Sequence, residues 1–391
     1  MSFTPRRLLL GATAALALLA APAQAFDTRA KAAFVLDQTT GTVLLAKRAD
    51  EALPPASMSK LMTLYIAFEA IRDGRLSLDE RLPVSSHAMS YGGSTMFLNT
   101  QDRVKVSDLL QGIIVLSGND ACAVIAEALS PDGTERGFAR LMTQRAQQLG
   151  MTNSSFKNAS GWPAAGHVMS MRDLVLLGNR LIADFPEHYK MFSQRRFEFD
   201  GRAPSNVNNR NPLLGLGIGA DGLKTGHTTE AGYGLVGSAT NGERRVVFAI
   251  TGLDTSKARA EESEAIVNWA FRQFAEQTIV TKDTAVAQAD IWMGAEDSVG
   301  LVSEKDLTLL LPTMTPSGLK AEIVYTGPIA APVKKGTKLA ELIIQPDGLP
   351  ETRVPLVAEK NVDAAGFMDR MLTVSGVLIQ RLQDGPAEEQ M

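Results

Sequence analysis

The stretch "LPPASMSKLMTLYIAFEAI", Leu53 to Ile71, is where the reading of this chain begins. Pro54 and Pro55 block a helix before it. From Ser57 onward apolar residues recur at Leu61, Leu64, Tyr65, Phe68 and Ile71, one face of a 3.6-residue period. A helix is therefore expected to start near Ser57, with Lys60 one turn along on the same side. Alone, the serine has an ordinary explanation as a helix cap, accepting a bond from an orphan backbone N–H. Ser-x-x-Lys also recurs by accident, so the pair acquires meaning only from the rest of the chain.

That chain has 391 residues, enough for two domains or for one large domain with an appendage. Hydrophobic content is 45% and charged content 21%, ordinary for a globular protein. A formal net charge of −4 lacks the basic excess of a nucleic-acid binder. The start, "MSFTPRRLLLGATAALALLAAPAQA", has a basic beginning (Arg6, Arg7), an apolar run from Leu8 to Ala21, and Ala23-Gln24-Ala25. It reads as a secretory signal spanning residues 1–25, with the mature chain expected from Phe26. The apolar run is short for a membrane span, which favours cleavage over anchoring. Export invites disulfides, but Cys122 is the single cysteine and no intrachain bridge is possible. His87, His167, His188 and His227 show no metal-ligand spacing, so neither a metal nor a cofactor is expected.

Along the mature chain, "AAFVLDQTTGTVLLAKR" (Ala32 to Arg48) reads as a hairpin. Helices are expected after Ser57, over Val106 to Leu129 with a break at Ser117-Gly118-Asn119, over Gly137 to Gly150, and over Ser170 to Phe185. The stretch Gly219 to Leu253 is strand-rich, and Asn241-Gly242 between two apolar runs is a hairpin signal. A helix over Lys257 to Phe274 closes the region. Helices before and after a late set of hairpins imply an α+β domain over 26–276, a mainly antiparallel sheet flanked by helices. Short β-type runs separated by Gly, Pro and Asp then suggest a small all-β sandwich over 277–362. The last part, 363–391, holds a helical segment from Ala364 to Leu382 with an apolar stripe of Phe367, Met371, Val374, Leu378 and Leu382, followed by an acidic tail. Such a stripe suits a membrane surface, docking on the chain's own β domain, or a dimer contact.

Three short motifs stand out in this order: Ser57-Met58-Ser59-Lys60, then Ser117-Gly118-Asn119, then Lys224-Thr225-Gly226. Each is weak alone. Together, in an exported chain, they form the Ser-x-x-Lys, Ser-x-Asn and Lys-Thr-Gly set of penicillin-binding proteins and class A β-lactamases. The chain resembles the low-molecular-mass penicillin-binding proteins, the serine-type D-alanyl-D-alanine carboxypeptidases with a C-terminal β domain. The resemblance runs from Phe26 to about Leu382 and includes "PASMSKLMT", "LLQGIIVLSGNDACAVIAE" and "DGLKTGHTTEAGYGLVGSAT". It implies a β-lactamase/transpeptidase-like domain, a periplasmic location, and attachment to the outer face of the cytoplasmic membrane through the last helix. The partners it implies are a peptidoglycan stem peptide ending in D-Ala-D-Ala and β-lactam antibiotics.

The residue types suit that chemistry. A serine hydroxyl is a poor nucleophile until a base removes its proton. Lys60 can reach Ser57, and burial with a second cation, for which Lys224 is the candidate, would lower its pKa into a useful range. Ser117 can return the proton to the leaving group, and Asn119 can hold the substrate amide and position Lys60. Lys224 and Thr225 suit a free carboxylate, and Gly226 leaves a strand edge clear. The resemblance also implies an oxyanion hole from the backbone N–H groups of Ser57 and His227, and a carboxylate-binding role for Arg259, which otherwise reads as a surface ion-pair partner. Cys122 reads as a small buried hydrophobe. Its place three residues after Asn119 gives the expectation that bulky thiol reagents slow the enzyme.

Two other functions are open on the same motifs. A serine β-lactamase would place a glutamate between the second and third motifs, yet none occurs between Glu135 and Glu187. The other is a weakly catalytic wall-binding scaffold. One departure from the family lies in "NASGWPAAGHVMSMRDL", where Trp162 stands at a position usually held by leucine. The loop from Asn158 to Met171 borders the cleft in relatives, so the resemblance does not fix substrate preference here.

Overall fold

The computed structural model describes residues 5–9, 26–202, 204–313, 320–345, 351–368 and 371. The chain divides into two compact units between Gln273 and Phe274, three residues before the boundary expected from composition.

In the first unit, strands β1 (Ala32–Asp37) and β2 (Val43–Lys47) form the expected hairpin. Three longer strands follow late in the chain: β3 (Ala220–Thr228), β4 (Gly232–Asn241) and β5 (Arg244–Leu253). They complete an antiparallel sheet of order β2-β1-β5-β4-β3, with Val35 opposite Phe248 and Lys224 opposite Val236. The Asn241-Gly242 turn joins β4 to β5, and Gly242 has the positive φ (61°) that such a turn demands. Strand β3 lies at one edge, so its outer side is open to a ligand.

Helix α1 (Lys60–Arg72) is buried from Lys60 to Ala70. Its apolar stripe suggested one buried face, yet it is packed all round, as expected of a helix at the centre of a domain. Helices α2 (Asn119–Leu129) and α3 (Glu135–Gln148) pack against it. Helix α4 (Met171–Asp184) covers β1 and β5, and α5 (Ser256–Arg272) packs on β4 and β5. The starts of α3, α4 and α5 are capped by Thr134, Ser170 and Thr255, whose hydroxyls accept from Gly137, Asp173 and Ala258 N–H.

The second unit is all-β. Strands β6 (Phe274–Val280), β7 (Ala285–Trp292), β8 (Ser298–Val302), β9 (Leu307–Pro312), β10 (Lys320–Thr326), β11 (Ile329–Ala330), β12 (Lys338–Gln345) and β13 (Thr352–Ala358) make one sheet of order β10-β12-β13-β8-β7-β11 and a separate β6–β9 pair. The segment Pro5–Leu9 runs antiparallel to β10 at the sheet edge. Burial alternates along β12, where Ala340, Leu342 and Ile344 point into a core shared with Val299, Leu301, Ile323 and Leu356. Of the terminal apolar stripe, Phe367 and Met371 are 72% and 53% exposed, and Met368 beside them is 71% exposed. The helix expected from Ala364 does not include Ala364 to Gly366, where Ala364 instead bridges to Gly294; it is helical at Phe367, Met368 and Met371, and its remaining residues lie outside those described. Among the described residues no helix is long and apolar enough to cross a membrane.

Candidate active site

Ser57 does not cap α1. It sits in a 3₁₀ turn, Ala56–Ser59, that leads into the helix. Ala56 before it is held at φ +49°, a left-handed conformation unusual for a residue with a side chain and the kind of local strain found at functional sites. Two glycines make the turn possible. A Cβ on Gly226 would lie 2.9 Å from the Pro55 carbonyl oxygen and 3.0 Å from Met58 Cγ. One on Gly161 would lie 1.9 Å from the Ala56 carbonyl oxygen. Strand β3 and the loop after α3 therefore both touch the turn backbone to backbone, and Ser57 is clamped between them.

Lys60, the first residue of α1, has no exposed surface. Its Nζ donates to Ser57 Oγ at 2.9 Å, to Asn119 Oδ1 at 2.8 Å and to the Ser160 carbonyl oxygen at 2.6 Å. Burial pushes the ammonium down to about 8, and the nearby Arg210 guanidinium adds to that. Lys224, also buried, is pushed well below its usual range, first by burial and then by Lys60 and Arg210. Its Nζ donates at 3.1 Å to the carbonyl oxygen of Thr225.

Asn119 opens α2. Its Nδ2 donates to the Gly92 carbonyl oxygen at 2.8 Å, which leaves Oδ1 aimed at Lys60. Ser117 precedes it in a left-handed conformation (φ +63°), at the end of a wide π-type turn over Gly112–Leu116. Turns of that type are rare and recur at functional sites. Ser117 is 2% exposed, and its hydroxyl has no hydrogen-bond partner among the described residues. Arg259 is also buried. It is not a surface ion-pair partner: one Nη donates to the Arg210 carbonyl oxygen at 3.3 Å and its Nε is unpartnered. Buried polar atoms without partners are uncommon in folded proteins, and here two of them belong to candidate site residues. The His227 side chain is exposed and stacks on Tyr233 at 3.8 Å between ring centroids.

Arg210 is the residue that the motifs did not reveal. It lies in an irregular segment where asparagines tie the chain down: Asn206 donates to the Leu116 carbonyl oxygen and Asn211 to that of Gly222. Arg210 donates to Leu116 O at 2.6 Å and to Ser94 Oγ at 2.9 Å. Lys60, Lys224, Arg210 and Arg259 thus form a cluster of cations in which Lys224 feels the charge of the other three, and Lys60 and Arg259 each feel that of Arg210. The run "SNVNNRNP" was the available signal, since so many asparagines in one loop imply backbone clamping.

The loop from Asn158 to Met171 is held with equal care. Asn158 Oδ1 accepts from the N–H groups of Ser160, Gly161 and Trp162. Glu135 accepts from Ala159 N–H, Tyr91 Oη–H and His87 Nε2–H. His167 Nδ1 accepts from Lys157 N–H, so the ring proton is on Nε2 and donates to Ser59 Oγ at 2.7 Å. Burial pushes this imidazole down to about 4, so it stays neutral at neutral pH. The group of this loop that faces Lys60 is a carbonyl oxygen, not a carboxylate, which removes the feature a class A β-lactamase would need.

Cys122 is fully buried, and burial pushes its thiol up to about 12. It is a small core residue, and the expected sensitivity to thiol reagents reverses. Native protein should stay unlabelled, as read by intact mass, and fully active during incubation with a bulky maleimide, whereas unfolded protein should gain one label. Labelling of the folded chain would show that the α2 region opens. Among the described residues no group of three or more His, Cys, Asp or Glu side chains could hold a metal ion.

The helical and sheet layers, the appended β unit, and Ser57 joined to a buried Lys60 define a class, the low-molecular-mass penicillin-binding proteins. Within it, the chain belongs to the D-alanyl-D-alanine carboxypeptidase family, the serine peptidases of family S11, whose pattern matches residues 19–255. The C-terminal domain of penicillin-binding protein 5 matches residues 274–364. The D-alanyl-D-alanine carboxypeptidase DacC of Escherichia coli (strain K12) is 36% identical over 351 residues, covering 88% of this chain and 86% of DacC. Among solved structures, the D-alanyl-D-alanine carboxypeptidase DacD of Francisella tularensis superposes with a TM-score of 0.75 at 28% identity, covering 90% of this chain and 97% of that one. Penicillin-binding protein D2 of Listeria monocytogenes, in its ampicillin-bound form, gives a TM-score of 0.57 at 32% identity over 63% of this chain and 98% of its own.

Proposed function

We propose that Ser57 is the nucleophile of a serine-type D-Ala-D-Ala carboxypeptidase and that Lys60 is its base. The contact that carries this reading is the 2.9 Å bond between Ser57 Oγ and a buried amine whose pKa falls to about 8. A neutral fraction of that amine exists at physiological pH, which an exposed lysine would not provide. The Ser57 oxygen attacks the carbonyl carbon of the penultimate D-Ala, and its proton passes to Lys60. The developing oxyanion is held by the backbone N–H groups of Ser57 and His227. Ser117, with its unused hydroxyl, relays the proton to the departing D-Ala nitrogen. Water then attacks the ester, with Lys60 again as base, and releases the shortened peptide.

The substrate's terminal carboxylate is held by Lys224, Thr225 and the guanidinium pair Arg210 and Arg259. Among the described residues no carboxylate pairs with either guanidinium, whose contacts include the carbonyl oxygens of Leu116 and Arg210, and Gly226 keeps the β3 edge clear beside it. Asn119 holds the peptide amide. A β-lactam, which carries a strained amide and a nearby carboxylate, acylates the same serine. We further propose that residues 1–25 are removed on export to the periplasm and that residues 363–391 attach the chain to the membrane surface. The exposure of Phe367 and Met368 supports the latter.

A labelled penicillin followed by intact mass and peptide mapping tests the reading. A long-lived adduct on Ser57, together with D-Ala release from a pentapeptide, is the expected result. Rapid drug hydrolysis would instead indicate a β-lactamase, and no adduct at all a binding scaffold.

A further inference from the structure

The cleft continues beyond the catalytic groups. A cavity of about 510 Å³ runs from Ser57 and Asn119 past Trp162 to Thr228 and Glu230. A second of about 410 Å³ shares Trp162, Pro163, Thr228 and Glu230 with it and lies over Pro54 and Ala56. Trp162 is 44% exposed, although large apolar side chains are normally covered. Its ring stands edge-on to Tyr91, and its backbone is tied to Asn158 in both directions, so it is a fixed platform. Across the cleft, Thr228 Oγ1 accepts from Ala231 N–H and holds the turn after β3, with Glu230 on the lip. Glu230 has no ion-pair partner among the described residues.

The direction of the substrate follows from the proposed reading, on which this inference rests. With its carboxylate at Thr225 and its reacting carbonyl at His227, a peptide laid along the β3 edge continues toward Thr228 to Glu230, at about 3.3 Å per residue. The residue before D-Ala-D-Ala therefore arrives between Trp162 and Glu230. We propose that these two residues form a subsite for an ammonium-bearing side chain at that position, its methylenes against the indole and its amine at the Glu230 carboxylate. Peptides whose third residue from the end is a diamino acid with a free amine are then preferred over those in which that amine is acylated. Trp162 also gives the amine a cation–π face.

The test compares kcat/KM for two peptides, Nα-acetyl-L-lysyl-D-alanyl-D-alanine and its Nε-acetyl form, alongside the rate of penicillin acylation. The native enzyme is expected to prefer the free amine about tenfold. Glu230→Gln should reduce that preference to within about twofold by lowering kcat/KM for the free amine alone. Trp162→Leu should lower kcat/KM for both peptides. Equal use of both peptides by the native enzyme, or an undiminished preference in Glu230→Gln, overturns the subsite. If the native enzyme neither releases D-Ala nor takes up penicillin, it is the parent reading that fails.

Discussion

Replacing Lys60 with arginine should lower the rate of Ser57 acylation by about 10³-fold, within the range assigned to loss of a positioned general base. The argument is one of protonation rather than charge. Arginine keeps a cation near Ser57 and Asn119 but cannot be deprotonated in a protein, so it donates where the proposed base must accept. The same logic fixes the pH profile of the native enzyme. With the amine at about 8, the neutral form grows tenfold per unit up to that point and then saturates. The second-order acylation rate by a labelled penicillin, measured from pH 6 to 10, should rise and level off near pH 8. In Lys60→Arg this inflection should vanish while the melting temperature shows that the fold persists. A variant within tenfold of the native rate, or a native profile flat from pH 6 to 9, would remove Lys60 from the role of base.

The second large effect is expected at a residue with no side chain. Gly226→Ala should slow acylation about 10²-fold, the scale of a displacement near 1 Å in a reacting group. The added methyl meets the Pro55 carbonyl oxygen at 2.9 Å and Met58 Cγ at 3.0 Å. Backbone yields less easily than a side-chain tip, so the turn holding Ser57 must move away from β3. The stability cost should be only about 1–3 kcal/mol, as for other overpacked sites. Gly215→Ala, where an added methyl meets nothing within 4 Å, is the matched control. Equal acylation rates for the two variants would mean that the turn does not depend on this contact.

What could be read from sequence was whatever repeats or is coded locally. The Asn241-Gly242 hairpin and the helix that follows Ser57 both follow from neighbours a few residues apart, whereas Ser57 itself proved to lie in a 3₁₀ turn rather than at a helix cap. The three motifs were legible too, and the contacts Lys60 makes to Ser57 and Asn119 link the first two of them. Other features rest on long-range packing that leaves no local period. Arg210 comes to Leu116 from 94 positions along the chain. The backbone carbonyl of Ser160 reaches Lys60 across 100 positions, and a carbonyl oxygen has no residue-type signature. Likewise, burial of α1 on every side depends on α2, α3 and α4 arriving around it, which its own stripe could not announce.

On the proposed mechanism, the cation cluster also sets the lifetime of an inhibitor. When a peptide is cleaved, the D-Ala that departs takes its carboxylate with it, and the acyl-enzyme is left among unbalanced positive charges. Lys60 is then held in its neutral form, ready to draw a proton from water. An opened β-lactam loses nothing: the carboxylate that the cations hold remains covalently joined to the acyl group. That trapped anion raises the affinity of Lys60 for its proton and so withdraws the base from the deacylation step. On this view the same four charges set two clocks, a short one for substrate and a long one for drug, and the difference is whether the counter-ion can leave.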